Sequence, residues 1–363
     1  MRTRTETYNF AAGPSTLPEE VLRRASEEML NYRGCGYSVL EMSHRGPLFQ
    51  EILSSTTYSL KTILQVPDDF EILFLPGGGT QEFAAIPLNL MTEGGSADYA
   101  ITGYFAKLAA EEAEKYGRVQ YCCDMSSENF CRIPDQSDLR FHDGASYFYF
   151  CANNTVYGTE WQYDPQTPGI PVVADMSSDI LTKYINFHNY GLIYAGVQKN
   201  LAPAGMALVI VRKSLLGKEL SITPKIMSYR LQAEKESMLN TPPCWNIYML
   251  GLMLDWVRSI GGIGELVRRK EQRANLLYSY LDESSLFHAH ARKGSRSYMN
   301  VTFSTGNAAT DKEFIQQAEA SGLVNLKGHR KLGGMRASLY NAMPVEGAEK
   351  LVEFMKEFEV HHI

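Results

Sequence analysis

Short apolar runs of strand length alternate with helix-patterned segments along most of this chain, and that alternation restricts the fold more than any other feature. Phe70 to Leu75, Ala97 to Thr102, Ser146 to Cys151, Val172 to Asp175, Leu192 to Ala195 and Met206 to Val211 read as strands, while Phe49 to Leu64 and Phe105 to Tyr116 carry helical spacing. Alternation of this kind implies an α/β fold with a mostly parallel sheet flanked by helices, whose ligands gather at the carboxyl ends of the strands. The segment from Asn9 to Val21 predicts a loop running into a helix that reaches about Asn31, with Thr16 as its N-cap and Pro18 in the first turn. Near Ile260 to Gly264 the pattern changes to a helix, then to strands near Tyr298 to Phe303 and Gly334 to Ser338, and a last helix from Val345 to Phe358. The expected organisation is a large unit over residues 16–263 and a smaller α+β unit over 264–363, against which the strip 1–15 packs.

Several function classes are excluded early. A net charge of −6 provides no basic field for a phosphate backbone, so no nucleic-acid partner is expected. No apolar run approaches the roughly 20 residues of a membrane span, and the start, Met1 to Glu6, lacks the apolar core of a secretion signal; the expectation is a cytoplasmic protein. Cysteines at 35, 122, 123, 131, 151 and 244 show no metal-type spacing and are expected to be free, buried thiols. His288, His290, His361 and His362 lack acidic or cysteine partners at a ligand interval, so they read as surface histidines and no metal site is expected.

Lys199 and Asp175 carry the chemistry. An Asp closing one buried strand, then a Lys following the next, is the spacing a pyridoxal-phosphate enzyme needs: the Lys forms the Schiff base and the Asp holds the pyridine nitrogen. By themselves the two residues read equally as a solvated lysine and a turn or cap aspartate. Gly77-Gly78-Gly79-Thr80, between a strand and a helix, offers backbone N–H groups to a phosphate. It has neither the Gly-Lys-Ser/Thr ending of a P-loop nor the dinucleotide fingerprint, so it suits a monophosphate, or a purely structural turn. Phe105 opens the next helix and serves either as a face for a planar ring or as core; Asn154-Thr155 places a hydroxyl near a cofactor oxygen or is a turn pair. His44-Arg45, His329-Arg330 and Arg336 lie in Gly-bounded turns that suit compact dianions, or are solvated loop charges.

Asn9-Phe10-Ala11-Ala12-Gly13-Pro14, Ser43-His44-Arg45-Gly46, Ala174-Asp175, Gln198-Lys199-Asn200, Asn240-Thr241-Pro242-Pro243 and Gly334-Met335-Arg336-Ala337-Ser338 resemble the phosphoserine aminotransferase family, within the class V pyridoxal-phosphate enzymes, nearly end to end. The resemblance implies a fold-type I homodimer with Lys199 and Asp175 in the roles above, Phe105 against the cofactor ring, Thr155 near its phenolic oxygen, and Gly79, Thr80 and Gln198 on its phosphate. It further implies that Asn240 and Thr241 complete that phosphate site from the neighbouring subunit. Arg336 would bind the substrate α-carboxylate, and His44, Arg45, His329 and Arg330 would line the substrate phosphate pocket, Arg45 being lent across the interface. The implied activity is reversible transamination between L-glutamate and 3-phosphohydroxypyruvate, giving O-phospho-L-serine and 2-oxoglutarate for serine biosynthesis; a second use in vitamin B6 (pyridoxine) biosynthesis stays open. Two positions depart from the family: Phe105 stands where many relatives carry Trp, and Thr80 where some carry Arg. The alternatives are another class V aminotransferase acting on alanine, serine or glyoxylate, which needs no paired His-Arg clusters, and a non-catalytic binding protein of the same fold.

Overall fold

The computed structural model describes residues 3–362; residues 1, 2 and 363, the ends of the expected smaller unit, lie outside the described residues. In chain order the elements are α1 (Glu19–Glu27), α2 (Pro47–Leu64), β1 (Phe70–Pro76), α3 (Gly79–Leu90), β2 (Ser96–Ile101), α4 (Tyr104–Ala113), β3 (Arg118–Asp124), β4 (Ala145–Cys151), β5 (Val172–Asp175), β6 (Leu192–Gly196), β7 (Met206–Arg212), α5 (Tyr229–Glu234) and α6 (Cys244–Ser259). The chain continues through α7 (Gly262–Glu283), β8 (Asn300–Ser304), α8 (Ala308–Ala320), β9 (Met335–Ser338) and α9 (Val345–Val360).

The central sheet has seven strands in the order β1-β7-β6-β5-β4-β2-β3. Strand β7 runs antiparallel to both neighbours, and the pairs β6/β5, β5/β4, β4/β2 and β2/β3 are parallel. The carboxyl ends of β2, β4, β5 and β6 therefore emerge at one edge, and β1, reversed twice through β7, ends there too. Both faces are covered, which is why the strands read as near-continuous apolar runs. In β4 the period of two is explicit: Tyr147, Tyr149 and Cys151 enter the core under α3 and α4, while Phe148 and Phe150 enter the core under α2 and α6.

A third core is built from α7, α8, α9 and the sheet of His288–Ala289, β8 and β9, and it includes Phe10. Tyr8–Asn9 pairs in parallel with Leu323–Val324, so the N-terminal strip packs against these elements. Packing changes along α7: Ile263 and Leu266 belong to the core under α2 and α6, whereas Ala274 and Leu277 belong to the third core.

Some expected elements shift. Helix α1 starts after Pro18, whose ψ of 138° is extended, so Pro18 rather than Thr16 holds the cap position. The helix ends at Glu27 rather than near Asn31, whose side chain instead accepts the Gly36 N–H at 2.7 Å. Strand β3 carries no clear sequence signal because it is an edge strand with exposed Arg118, Tyr121 and Asp124. Helix α6 is buried almost all round, from Ile247 to Leu250 and from Leu252 to Leu254, which removes the one-sided periodicity that marks a surface helix. His290 is half-buried, with Nε2 2.9 Å from the Asn129 carbonyl, rather than a free surface histidine. Among the described residues no helix is long and apolar enough to cross a membrane.

Candidate active site

The loops leaving β1, β2, β4, β5 and β6 converge on one cleft of about 550 Å³ of open space, mouth included. Gly79, Thr80, Phe105, Thr155, Asp175, Gln198 and Lys199 all line it, beside Tyr104, Cys151, Asn154, Ser177 and Ser178. Residues separated by up to 120 positions in sequence meet here because the strands that carry them point the same way.

The turn after β1 is shaped by glycine. Gly77 has φ 104°, a backbone only glycine adopts readily, and a Cβ there would fall 1.9 Å from Gln81 Oε1. Helix α3 then begins at Gly79 with Gly78 as an N-cap that has no side chain to offer. Gly79 and Thr80, at the positive end of the helix dipole, line the cleft, an arrangement that favours an anion. The start of α3 lies close against the ends of β5 and β6: a Cβ at Gly79 would meet Ser177 Oγ at 3.3 Å and the Gly196 N at 3.5 Å.

Lys199 Nζ donates to Thr155 Oγ1 at 2.9 Å, and Thr155 Oγ1 donates to Ser178 Oγ at 3.2 Å. The same Nζ lies 5.6 Å from the centre of the Phe105 ring. The N-terminal strip fixes the lysine's backbone: Ser15 N–H donates to Gln198 O at 3.0 Å and Ser15 Oγ donates to Lys199 O.

Asp175 presents a carboxylate with ordered acceptors. Ser177 N–H donates to Oδ1 at 2.9 Å and the Tyr194 hydroxyl donates to Oδ2 at 2.8 Å. Burial and the Asp175 charge raise the Tyr194 phenol well above its ordinary range, so it stays a donor. Tyr149 OH, 2.8 Å from Tyr194 OH, therefore donates to it in turn. The Cys151 thiol lies 3.9 Å from Oδ2, and burial, then Asp175, pushes it far above a reactive thiol's range. All six cysteines are free, and among the described residues no cluster of three or more His, Cys, Asp or Glu side chains could hold a metal.

The mouth is cationic. Arg336 on β9 donates from Nη1 to Thr155 O at 3.3 Å, while its Nε is buried without a partner. His329 packs on Tyr104 with ring centres 5.3 Å apart, and the exposed Arg330 follows it. Burial, with Arg336, Arg330 and Lys331 nearby, holds the His329 imidazole below the usual histidine range.

His44, Arg45, Asn240 and Thr241 do not line this cleft, and neither do His329, Arg330 and Arg336, of which His329 reaches it through Tyr104 and Arg336 through Thr155. The first four gather elsewhere: Gln50 Nε2 donates to His44 O at 3.1 Å and to Met238 Sδ at 3.2 Å, joining the His44-Arg45 turn to the segment leading into Asn240. His44 Nε2 and Asn240 Oδ1 are both buried without partners.

Sequence reasoning missed Tyr104, Ser177, Ser178 and the Tyr149–Tyr194 pair. The last had a usable signal: a tyrosine inside a fully apolar strand must bring a partner for its hydroxyl. Ser177 and Ser178 follow Asp175 with one residue between, at the sheet's carboxyl edge, where polar side chains face ligands.

Comparison with known proteins identifies the family. Residues 7–351 match the family described as Aminotransferase class-V. Phosphoserine aminotransferase from Ralstonia nicotianae is 46% identical over 359 residues, covering 97% of this chain and 95% of the relative. The Pseudomonas paraeruginosa protein of the same name is 44% identical over 352 residues, covering 97% and 98%. The solved phosphoserine aminotransferase from Bacillus circulans subsp. alkalophilus superposes with a TM-score of 0.97 at 37% identity, covering 99% of this chain and 100% of that one.

Proposed function

The chain belongs to the class V aminotransferase family, and from that premise we propose that it moves the amino group of L-glutamate to 3-phosphohydroxypyruvate, reversibly, giving 2-oxoglutarate and O-phospho-L-serine for serine biosynthesis. The observation that carries this reading is one cleft holding the Lys199 amine, the Asp175 carboxylate and the first turn of α3, with His329 packed on its Tyr104 and Arg336 bonded to its Thr155. Relatives of 44–46% identity that are named phosphoserine aminotransferase support the same substrate pair.

The donor set fits pyridoxal 5′-phosphate. Gly79, Thr80 and Gln198 would hold its phosphate, Phe105 would cover its ring, Thr155 would meet its phenolic oxygen, Asp175 its ring nitrogen, and Lys199 would be its covalent attachment. When bound, the cofactor supplies the electron sink for breaking the substrate Cα–H bond and stores the amino group between the two half-reactions. The residues of the chain do the rest. Lys199 Nζ takes the proton from the substrate Cα and redelivers it. Asp175 keeps a fixed orientation because the Ser177 amide and Tyr194 hydroxyl each hold one oxygen. Arg336, held beside the cleft by Thr155 O, grips the substrate α-carboxylate. One cationic pocket receives both the distal carboxylate of glutamate and the phosphate of the acceptor, so the substrates alternate and the kinetics are ping-pong.

A homodimer with shared active sites belongs to the same reading. Its support is the grouping of His44, Arg45, Asn240 and Thr241 away from this chain's own cleft. Cytoplasmic residence is supported by the free state of all six cysteines.

The test is an amino-acceptor comparison with glutamate as donor: 2-oxoglutarate formed with 3-phosphohydroxypyruvate against hydroxypyruvate, pyruvate and glyoxylate. Strong preference for the phosphorylated acceptor is expected. Preference for an unphosphorylated one would keep the family and discard the substrate.

A further inference from the structure

Tyr104 is a large half-buried residue of the cleft to which nothing above gives a role. It opens α4 beside Phe105, with the two rings edge to face at 5.4 Å. Its other contacts reach across to the turn before β9: the His329 ring lies 5.3 Å away, tilted by 44°, and Lys331 Nζ is 6.0 Å from the Tyr104 ring centre.

That turn behaves as one piece. Gly328 N–H donates to Gly334 O at 2.8 Å, and the Leu332 and Gly333 amides both donate to His329 O, at 2.9 and 2.8 Å. A Cβ at Gly328 would collide with the Gly333 carbonyl at 2.0 Å, so the turn closes tightly on itself. Its seat on the large unit is Tyr104, together with Leu332, which packs into the same core. Within the turn the Lys331 N–H donates to His329 Nδ1 at 3.3 Å, which makes Nδ1 the acceptor and leaves the proton of the neutral imidazole on Nε2. A tyrosine face attracts a cation, so the ring also limits where the Lys331 ammonium lies.

We propose that Tyr104 is a specificity-determining positioning residue: its ring seats the His329–Lys331 turn so that the imidazole Nε2–H and the Lys331 ammonium meet the distal dianion of a phosphorylated substrate. This rests on the phosphorylated-acceptor reading above and adds Lys331 as a contact of the anion pocket. A dianion gains more than a monoanionic carboxylate from each positioned cation, because the Coulomb energy scales with the charge. Tyr104 thus favours the phosphorylated acceptor over glutamate in the pocket they share.

The experiment uses holoenzyme of wild type, Tyr104→Phe, Tyr104→Leu and Lys331→Met. Inorganic phosphate serves as the probe, its binding measured by calorimetry and by competitive inhibition, alongside KM and kcat for 3-phosphohydroxypyruvate and for glutamate. Tyr104→Leu is expected to weaken phosphate and the phosphorylated acceptor by about three- to tenfold, through KM rather than kcat and with a smaller change for glutamate. Tyr104→Phe keeps the ring and restores wild-type values. Lys331→Met, an exposed change that leaves the core untouched, shows the same selective loss whether or not the leucine variant folds. Equal losses for phosphate and glutamate, a phenylalanine variant as poor as leucine, or wild-type affinity in both Tyr104→Leu and Lys331→Met would overturn the role of Tyr104. A wild-type enzyme that neither prefers the phosphorylated acceptor nor binds phosphate would remove the substrate reading as well, and that is decided before any variant is made.

Discussion

Glu82 is completely buried in the first turn of α3, two residues past Thr80, which lines the cleft. Tyr229 donates to its Oε2 at 2.5 Å, while Oε1 is buried without a partner. Burial outweighs the tyrosine hydrogen bond and raises its carboxyl from 4.5 to about 7. In the unfolded chain the proton leaves near 4.5; in the folded protein it stays until about 7. Across that window the native state binds more protons, so stability falls as pH rises from 4.5 to about 7 and changes no further above it. At ~1.36 kcal/mol per pKa step the loss amounts to about 3 kcal/mol by pH 8. Glu82→Gln removes the titration but keeps an acceptor for Tyr229; its unpartnered amide N–H₂ costs about 1–3 kcal/mol at every pH. The stability difference between variant and wild type should therefore move in the variant's favour by about 2.5 kcal/mol from pH 5 to pH 8, the first part of the loss lying below pH 5. Urea unfolding of both proteins at pH 5, 6, 7 and 8, at fixed protein and cofactor concentration, measures that difference. Parallel stability curves for the two proteins would refute the buried, protonated carboxyl.

Three further outcomes follow from distances in and beside the cleft. Tyr194→Phe removes the donor to Asp175 Oδ2 and the acceptor of Tyr149, so cofactor affinity, followed by absorbance titration of the apoprotein, should fall about tenfold; unchanged affinity would mean that the hydroxyl does not hold the carboxylate. Arg336→Lys retains the charge but loses the two-pronged grip, and should raise the glutamate KM by about 10- to 100-fold with folding intact by circular dichroism; an unaltered KM would place the α-carboxylate elsewhere. Gly158→Ala puts a Cβ 2.6 Å from Thr302 Oγ1 and 2.8 Å from Asn300 O at φ 71°, where the loop after β4 meets β8. It should cost about 2–4 kcal/mol and lower the melting temperature by several degrees, and an undisturbed melting temperature would show that the seam has slack.

How much was legible depended on how local each signal was. The strands β1, β2, β4, β5, β6 and β7 could be read because each is a short, largely apolar run bounded by turns, and burial on both faces keeps polar positions few, Glu71 in β1 and Asp98 in β2 among them. The glycine turn, Asp175 and Lys199 could be read because each sits where its own strand ends. Strand β3 and helix α6 could not, since an exposed edge weakens one pattern and burial all round erases the other. The reversed direction of β7 also has no local signature: parallel and antiparallel strands of the same burial share one sequence pattern.

Local sequence sufficed to place the candidate residues after strands, because turn-forming glycines, strand periodicity and the identity of an amine or a carboxylate are properties of neighbours along the chain. Which of them meet was settled by the packing of the whole chain. Arg336 reaches Thr155 from 181 positions away because β9 packs at the mouth of the sheet. Tyr194 reaches Asp175 because β5 and β6 lie side by side in register, and His44 with Asn240 stays out of the cleft because Gln50 ties their segments together elsewhere. Such meetings are set by strand direction, register and packing between distant segments, and no window of sequence contains them.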